Sequence, residues 1–313
     1  MPTRKSPRKG SLQYWPRKRA EKYLPSINWN AIDSDKTLKG FICYKVGMMS
    51  CSVKDSTMNS MTKGKEKIIP VTVLECPTMK ILSVRFYQHG IVKTEVLSSK
   101  LDKELKRKMK IPKESKKKIE DVKNEDYDDL RVIVYSLVKK AKIKKTPDII
   151  EIGLNGSLED KLKWIKENLD KEISVSNAFV SGELVDLRGL TKGKGLVGPV
   201  KRFGIQLKNH KSEKGRRRPG SIGPWHPARV IFRVPMAGQL GMFTRAIYNN
   251  KIVKIGNKEE ALKNFKNYGD INSDFVVVQG SIQGPAKRQL IITKTLRPTR
   301  RQTKKEYEFL ELR

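Results

Sequence analysis

Two apolar segments, Ile68–Glu75 (IIPVTVLE) and Ile81–Gln88 (ILSVRFYQ), decide the fold class that we predict for this chain. Each is short, mixes β-branched with aromatic residues, and has the length of a strand. Pro70 indicates the start of the first strand, and Pro77 with Thr78 should form the turn that joins the two as partners. Short strands joined by glycine- and proline-containing turns favour a β-barrel or β-sandwich over a parallel α/β sheet.

Similar patterns recur on both sides of these segments. Two stretches further along the chain are predicted to be helical. Leu130–Ala141 has leucine and valine on one face. In Ser157–Leu169, Ser157 is a suitable N-cap with Asp160 at the third position. The chain is therefore predicted to be mainly β with an α/β insertion at residues 95–172. Further strands are predicted at Gly40–Met49, Asp148–Leu154, Ile173–Leu187, Arg229–Val234, Thr244–Ile255, Asp274–Ser281 and Gln289–Thr295.

The charge of the chain points to a polyanionic partner. It holds 67 Lys or Arg against 33 Asp or Glu, a net charge of +34 over 313 residues, and nucleic acid is the leading candidate to neutralise it. An anionic membrane is the second candidate, but it usually requires an apolar anchor or an amphipathic helix. No apolar run approaches the roughly 20 residues that span a bilayer, and the charged N-terminus lacks the apolar stretch of a secretory signal. We predict a cytoplasmic protein that does not bind a membrane.

The stretch Gly189–Gly241 is basic, rich in glycine and proline, and poor in apolar periodicity. Within it, Lys192–Arg218 holds ten Lys or Arg against one acid, Glu213, a charge density that repels itself unless a polyanion neutralises it. We predict an extended arm whose arginines bind phosphate or stack on bases. Trp225 in its tip either folds back on the arm or inserts into RNA, and we favour insertion. His226 is a phosphate contact or a simple loop residue.

Residues 1–36 form a second basic segment, in which the spacing of the prolines argues against a continuous helix. Its aromatic residues are interleaved with Lys and Arg, a combination that suits RNA backbone contact and base stacking. The alternative is a tail whose aromatic rings dock on its own domain, and we favour RNA contact. The aromatic residues are Tyr14, Trp15, Tyr23 and Trp29.

Enzyme and cofactor motifs are weak or missing. Gly193–Gly198 fits the dinucleotide-binding pattern G-x-G-x-x-G, but Pro199 follows where a helix should open, and Arg217 stands where an acid should meet the ribose. We interpret the glycines as sites of tight turns and of close backbone approach to a sugar–phosphate chain. No nucleophile and base, phosphate loop or paired acids are recognisable, so we assign no catalytic residue, no cofactor and no small-molecule substrate.

The cysteines do not form a metal-binding pattern. Cys43, Cys51 and Cys76 have no Cys-x-x-Cys spacing, and the three histidines are isolated in the sequence. Zinc sites need clustered ligands at short spacings. We therefore predict reduced, core-filling cysteines and no metal ion.

Three long stretches resemble the universal large-subunit ribosomal protein three family: GLTKGKGLVGPVKRFG, RRRPGSIGPWHPARV, and YGDINSDFVVVQGSIQGPAKRQLIITKTLRP. The likeness continues through KGFICYKVGMM, IPVTVLE and VRFYQHG in the N-terminal half, and it covers nearly the whole chain. The Trp-His-Pro tip and the insertion resemble the archaeal and eukaryotic branch, and the modest length is more similar to archaeal members.

The resemblance implies a six-stranded β-barrel of the type shared with translation factors, with an α/β insertion, a long basic central arm and an N-terminal extension. It also implies a structural, non-catalytic constituent of the large ribosomal subunit, beside other large-subunit proteins. Members of this family bind near the 3′ end of the large rRNA and help to nucleate assembly. Their arm reaches toward the peptidyl-transferase centre, and the tip tryptophan, here Trp225, lies near the RNA that receives aminoacyl-tRNA.

These expectations divide the chain into a basic extension (1–36), a barrel in three parts (37–94, 173–199 and 239–313, the last with the C-terminal tail), the insertion (95–172) and the arm (200–238). Two other functions stay open: an rRNA-modifying or assembly enzyme with basic docking arms, and a general DNA-compacting protein, which the long arm suits less well. RNA contacts are expected from Arg4, Lys5, Arg8, Lys9, Trp15, Arg17, Lys18, Arg19, Lys192, Lys194, Lys201, Arg202, Arg216, Arg217, Arg218, Trp225, His226, Lys287 and Arg288.

Overall fold

The computed structural model describes residues 7–112, 119–122, 127–211, 213–260 and 262–313. Strands account for 35% of the structure and helices for 12%, so the predicted mainly β class is confirmed. The chain divides into two compact units. The arm unit comprises the described residues of Met1–Tyr23 and Leu190–Arg245, and the body unit comprises those of Leu24–Gly189 and Ala246–Arg313.

The strands and helices are numbered here in chain order. The helices of the described residues are α1 (Leu158–Asn168), α2 (Pro199–Phe203) and α3 (Arg300–Thr303). Each is too short or too polar to cross a bilayer. The strands of the described residues are β1 (Gly40–Asp55), β2 (Glu66–Glu75), β3 (Met79–Gln88), β4 (Ile91–Leu97), β5 (Asp129–Ser136), β6 (Ile149–Gly153), β7 (Leu184–Leu190), β8 (Leu196–Val197), β9 (Gly238–Gln239), β10 (Thr244–Gly256), β11 (Phe275–Gln279), β12 (Gln289–Lys294) and β13 (Tyr307–Leu312).

One large sheet contains seven of the described strands in the order β12-β7-β10-β11-β2-β1-β13, and β12 also pairs with β1. The predicted pairing of β2 with β3 is wrong, because β2 lies between β1 and β11. The segment between β2 and β3 does not turn back on itself. The Cys76 amide donates to Asp274, and the Thr78 carbonyl accepts from the Leu137 amide, so the chain passes directly from this sheet into a second one.

Pro70 lies inside β2 and does not mark its beginning, which corrects our expectation. β2 starts at Glu66 and pairs with β1 along its whole length. Its pairing with β11 stops at Val71, so position 70 lies on an edge on that side. The missing proline N–H therefore costs the sheet no hydrogen bond there.

The second sheet has the order β4-β3-β5-β6 and takes β3 and β4 from the segment that the sequence assigns to the barrel. The predicted helix at Leu130–Ala141 is wrong, since β5 occupies its first half. Alternate residues, among them Val132 and Val134, are buried in the main core, while Ile133 and Tyr135 are buried in a second cluster on the opposite face. A strand buried on both faces is a continuous apolar run, which periodicity alone cannot distinguish from a helix.

The helix α1 is confirmed, together with its cap. The Asp160 amide donates to Ser157 Oγ at 3.2 Å, and the Ser157 amide donates to the Asp160 carboxylate at 3.4 Å. Ile165 is fully buried, while Leu158 and Leu162 pack partly against the main core. The leucine and isoleucine spacing therefore marks the buried face, as it does in most amphipathic helices.

Trp29 is a core residue of the body unit, which corrects its interpretation as an RNA-stacking aromatic. It is 4% exposed. A Cβ added to Gly40 would lie 2.9 Å from the ring, and a Cβ added to Gly153 would lie 2.6 Å from the Trp29 Cβ. The two glycines therefore provide the space that the indole occupies.

Five other predicted strands have mixed outcomes. β10, β11 and β12 are confirmed, while the strand predicted over Ile173–Leu187 begins only at Leu184. The run Arg229–Val234 forms no strand, although the sequence predicts one. Strand β13 in the C-terminal tail was not predicted, and it pairs with the second half of β1.

Candidate nucleic-acid interface

At the base of the predicted arm, the two segments that contain β8 and β9 pair with each other; we call this region the arm base. β8 pairs with β9, the Lys194 amide donates to the Leu240 carbonyl at 2.9 Å, and the Leu240 amide donates to Gly195 at 3.0 Å. At Gly241 φ is +81°, and an added Cβ would lie 2.0 Å from the Lys192 carbonyl oxygen. The absence of a side chain at Gly241 therefore allows the backbone near Lys192 and the backbone near Gly241 to pack closely. This close approach is between two segments of the protein.

The G-x-G-x-x-G stretch ends in a short helix that the sequence analysis did not predict. Gly198 is the N-cap of α2 and Pro199 is its first residue, a position at which proline is favourable because the missing N–H has no helical partner there. The helix has 5 residues and ends at Gly204, where φ is +65°. It is too short to serve as the phosphate-binding helix of a dinucleotide fold.

Arg202 on this helix ties together three parts of the arm unit. Its Nε donates to the Gln239 carbonyl at 3.0 Å, Nη1 donates to Met236 at 3.0 Å, and Nη2 donates to Arg17 at 3.2 Å. Burial lowers its pKa. A Cβ added to Gly238 would lie 2.7 Å from the guanidinium. These contacts direct the guanidinium toward the chain's own carbonyls.

The N-terminal segment docks on the arm base through Trp15 and Arg17. The Trp15 ring stacks on Phe203 with centroids 6.1 Å apart and meets the edge of Phe232 at 5.6 Å. The Arg17 guanidinium lies 4.4 Å over Phe203 and donates to the Arg202 carbonyl at 3.1 Å. For Trp15, the structure corresponds to the alternative in which the aromatic rings dock on their own domain.

Arginines from the N-terminal segment, from α2 and from the end of the arm unit lie close together at this point. Burial lowers the pKa of Arg17, and the positive charges of Arg202, Arg245 and Arg8 lower it further. Arg8 donates from Nη1 to the Arg233 carbonyl at 2.5 Å. Like charges held this close repel one another, and a polyanion would relieve the repulsion.

The triple arginine Arg216–Arg218 lies on the exposed part of the arm unit. A small ladder shapes this region: the Lys208 amide donates to Arg216 at 3.1 Å, and Arg216 Nε donates to the Lys208 carbonyl at 3.2 Å. All three arginines are exposed and line an open depression together with Leu207 and Gly215. Guanidinium groups around an open depression are well placed to bind phosphate from more than one side.

The tip presents an indole to solvent. Trp225 is 89% exposed, so it does not fold back on the described residues, and His226 beside it is exposed as well. The Arg229 amide donates to the Pro227 carbonyl at 2.7 Å and closes the turn that follows. Of the two orientations weighed for Trp225, the structure shows the one that leaves the ring accessible to a partner.

The remaining predicted contact residues fall into three groups. Arg4 and Lys5 lie outside the described residues. Lys287 and Arg288 belong to the body unit, where Lys287 is exposed with its Nζ 5.8 Å from the Tyr268 ring and Arg288 is half-buried. The third group consists of exposed cations of the arm unit: Lys9, Lys18, Arg19, Lys192, Lys194 and Lys201.

Sequence reasoning missed Phe203, the residue on which Trp15 and Arg17 converge. It is 6% exposed and lies at the last position of α2. A single phenylalanine inside a run of Lys, Arg and Gly was the available signal, because an isolated large apolar residue in a charged loop needs a packing partner.

The cysteines are buried thiols, as predicted. Cys43, Cys51 and Cys76 are free, and burial raises the pKa of each, to about 11 for Cys51. No group of three or more His, Cys, Asp or Glu within the described ranges could hold a metal ion.

A body with an apolar core and an arm of exposed cations and aromatic residues defines a class of protein, one that binds a polyanion over an extended surface. Sequence comparison gives the family. The sequence model described as Ribosomal protein L3 matches residues 1–312, and the chain belongs to this family.

Relatives from archaea match almost the full chain. The protein named large ribosomal subunit protein uL3 of Methanocaldococcus jannaschii is 40% identical over 308 residues, which cover 93% of this chain and 92% of the relative. The proteins of the same name in Methanosphaera stadtmanae and Archaeoglobus fulgidus are each 39% identical; the first match covers 95% of this chain and 93% of the relative, and the second covers 93% and 92%. The similarity to archaeal members predicted from the sequence is confirmed.

Proposed function

We propose that this chain is a structural, non-catalytic constituent of the large ribosomal subunit. We propose that it binds large-subunit rRNA near the 3′ end, helps to nucleate assembly, and contacts neighbouring large-subunit proteins. The main support for this proposal is that the chain matches the L3 family over residues 1–312. The exposed cations of the arm unit support it, because phosphate contacts of this kind supply most of the affinity for nucleic acid.

Six strands of the large sheet are proposed to close into a β-barrel. The pairings β12-β7-β10-β11-β2-β1, with β1 returning to β12, link the strands in a ring. β1 can serve both neighbours because it pairs with β12 through Gly40–Tyr44 and continues as the partner of β13 from Cys51. A closed sheet has no edge on which another chain could pair.

The proposed RNA contacts follow the exposure of each side chain. We assign Lys9, Lys18, Arg19 and the exposed arm cations to phosphates, with Arg216–Arg218 as the densest cluster. Arg8, Trp15, Arg17 and Arg202 are assigned mainly to holding the arm base, because their contacts run to the chain itself. The part of residues 1–36 that belongs to the arm unit, up to Tyr23, and residues 200–238 are proposed as the two segments that enter the RNA.

The test is sedimentation of cell extract through a sucrose gradient in high salt, with quantification of this protein in each fraction. A structural constituent stays on the large subunit in one-to-one ratio. Release into the soluble fraction, or a substoichiometric amount, would contradict the proposal and favour a peripheral factor or a modifying enzyme.

The arm tip is proposed to reach toward the peptidyl-transferase centre. Trp225→Ala should leave the amount of assembled large subunits within twofold of wild type, because the ring is almost fully exposed. It should weaken aminoacyl-tRNA binding at the A site, measured on purified ribosomes. Severe loss of assembled subunits, with the variant protein still folded, would contradict a local role for the tip.

A further inference from the structure

Tyr14 and Trp15 are adjacent in sequence but have different surroundings in the arm unit. The indole of Trp15 lies between Phe203 and Phe232, and its Nε1 donates to the Ser11 carbonyl at 2.9 Å. Its ring is therefore occupied by contacts with the chain. Tyr14 is 60% exposed.

A guanidinium lies behind the Tyr14 ring. The Arg245 guanidinium carbon lies 5.0 Å from the Tyr14 ring centroid and 5.4 Å from that of Phe243. Arg245 is oriented by a hydrogen bond from Nη1 to the Thr244 carbonyl at 2.8 Å. A cation over one face of an aromatic ring is attracted by its electrons and holds the ring in place.

The segment that carries Tyr14 is joined to the rest of the arm unit by a backbone hydrogen bond. The Ala20 amide donates to the Met242 carbonyl at 3.0 Å, which joins the N-terminal segment to the residues just before Thr244. One face of the ring lies against the guanidinium, and with 60% of the residue exposed Tyr14 is accessible to a planar partner.

We propose that Tyr14, supported by Arg245, is a stacking site for an unpaired RNA base. An aromatic ring beside a guanidinium is the combination that binds single-stranded RNA, because every base offers a flat face to a ring and a phosphate to a cation. Lys18 and Arg19, exposed cations four and five residues further along the chain, favour RNA over an apolar protein surface. The inference rests on the proposed function and selects Tyr14 from the four aromatic residues of the N-terminal segment, where the sequence analysis had named only Trp15 among the expected contacts.

The test uses the full chain and a transcript of the 3′ domain of a large-subunit rRNA, with affinity measured by filter binding over a series of salt concentrations. Tyr14→Ala should weaken binding about 5- to 150-fold, the range for loss of one base stack. The slope of affinity against salt should stay unchanged, because no phosphate contact is lost. Tyr14→Phe keeps the ring and should bind within twofold of wild type.

Two controls separate stacking from a change in the arm. Gln13→Ala alters the exposed residue before Tyr14 and should bind like wild type. Hydrogen exchange at the Ala20 amide should be the same in Tyr14→Ala as in wild type, which shows that the N-terminal segment is still docked. Ultraviolet cross-linking of the wild-type complex should place an RNA adduct on Tyr14.

Specific outcomes overturn the inference. If the wild-type chain binds the transcript and Tyr14→Ala binds with an affinity within twofold of wild type, the stacking site is overturned and the proposed function is unaffected. A weaker Tyr14→Ala with a shallower salt slope or faster Ala20 exchange also overturns it, since the ring would then act through the arm. A wild-type chain that does not bind the transcript overturns both.

Discussion

The body unit and the arm unit are stabilised by different interactions. The body buries a large set of apolar side chains, among them Phe41, Tyr44 and Phe275, in one continuous core. In the described part of the arm unit, Leu190 and Phe203 are the only large apolar side chains that are buried. Arginine side chains there bind backbone carbonyls and cover aromatic rings. The body can fold by removing apolar surface from water, which the arm has little means to do.

This difference indicates when each unit becomes stable. Burial of apolar side chains is largely independent of salt, whereas a close group of arginines is destabilised by its own charge until an anion binds. The arm unit should therefore gain most of its order in the presence of RNA, and the body should be stable without it. Four predictions test this comparison.

The largest effect is expected in the body core. Phe41 is fully buried, so Phe41→Ala removes an apolar side chain and leaves a cavity, at a cost of about 3–5 kcal/mol in the free energy of unfolding. Urea denaturation of the free protein measures this loss. Met61→Ala is the matched control, because Met61 is 98% exposed and its loss should change stability by less than about 0.5 kcal/mol. Similar losses in both variants would contradict a core-stabilised body.

A smaller, local effect is expected at the arm base. Arg202→Ala removes donors from the carbonyls of Gln239, Met236 and Arg17, at a cost of about 1–3 kcal/mol. The Leu240 amide next to Gln239 should then exchange its hydrogen about tenfold faster or more, while body amides exchange as in wild type. Lys201→Ala, which changes the exposed residue next to Arg202, is the control and should leave hydrogen exchange at the Leu240 amide unaltered. Unchanged exchange in Arg202→Ala would show that the arm base does not depend on this guanidinium.

The same difference explains which parts of the fold were predictable. Body strands such as β2, β3 and β12 were predicted because alternation of apolar residues is caused directly by burial, and α1 was predicted because its capping box is local. The pairing of strands could not be predicted from their own sequences. Nothing in the sequence of β2 shows that it pairs with β1 and β11 and not with β3, the next strand along the chain. The helix predicted in place of β5 failed because a strand buried on both faces loses its alternation.

The candidate site was predictable in its charge and less so in its contacts. A run of cations identified the arm, since the charge of a segment can be counted from its sequence alone. Whether an aromatic residue faces the chain or the solvent depends on distant partners, so Trp29, Trp15 and Tyr14 could not be told apart. Trp29 depends on Gly40 and Gly153, and Trp15 depends on Phe203.

A third prediction compares how the arm and the body respond to salt. Replacing Arg216, Arg217 and Arg218 together by alanine should weaken rRNA binding and reduce the slope of log affinity against log salt by about 2–3, near one unit for each phosphate contact. The stability of the free body should stay unchanged. Replacing the three residues by lysine keeps the charge and should retain most of the slope while losing the bidentate contacts. An unaltered slope in the alanine variant would exclude them as phosphate contacts.

The smallest effect concerns a turn that the body closes with a carboxylate. Asp55 accepts hydrogen bonds from the Thr57 amide at 3.0 Å, Thr62 Oγ1 at 2.5 Å and Ser60 Oγ at 3.1 Å. The bonds from Thr57 and Thr62 hold the pKa of Asp55 well below its ordinary value of 3.8. Because the folded pKa is lowered, the unfolded chain binds the proton more readily, and stability rises with pH in this range.

The contribution of Asp55 is therefore present above about pH 4 and is lost as the pH falls through the lowered folded pKa. Asp55→Asn should melt at a lower temperature than wild type at pH 6, and the difference should narrow as the pH is reduced from 4 toward 2. Met61→Ala in the same turn should keep the pH dependence of wild type. Parallel melting curves for Asp55→Asn and wild type would mean that backbone bonds alone close the turn. A narrowing difference would show that, in contrast to the arm cations, this charged group of the body is stabilised by hydrogen bonds from its own chain.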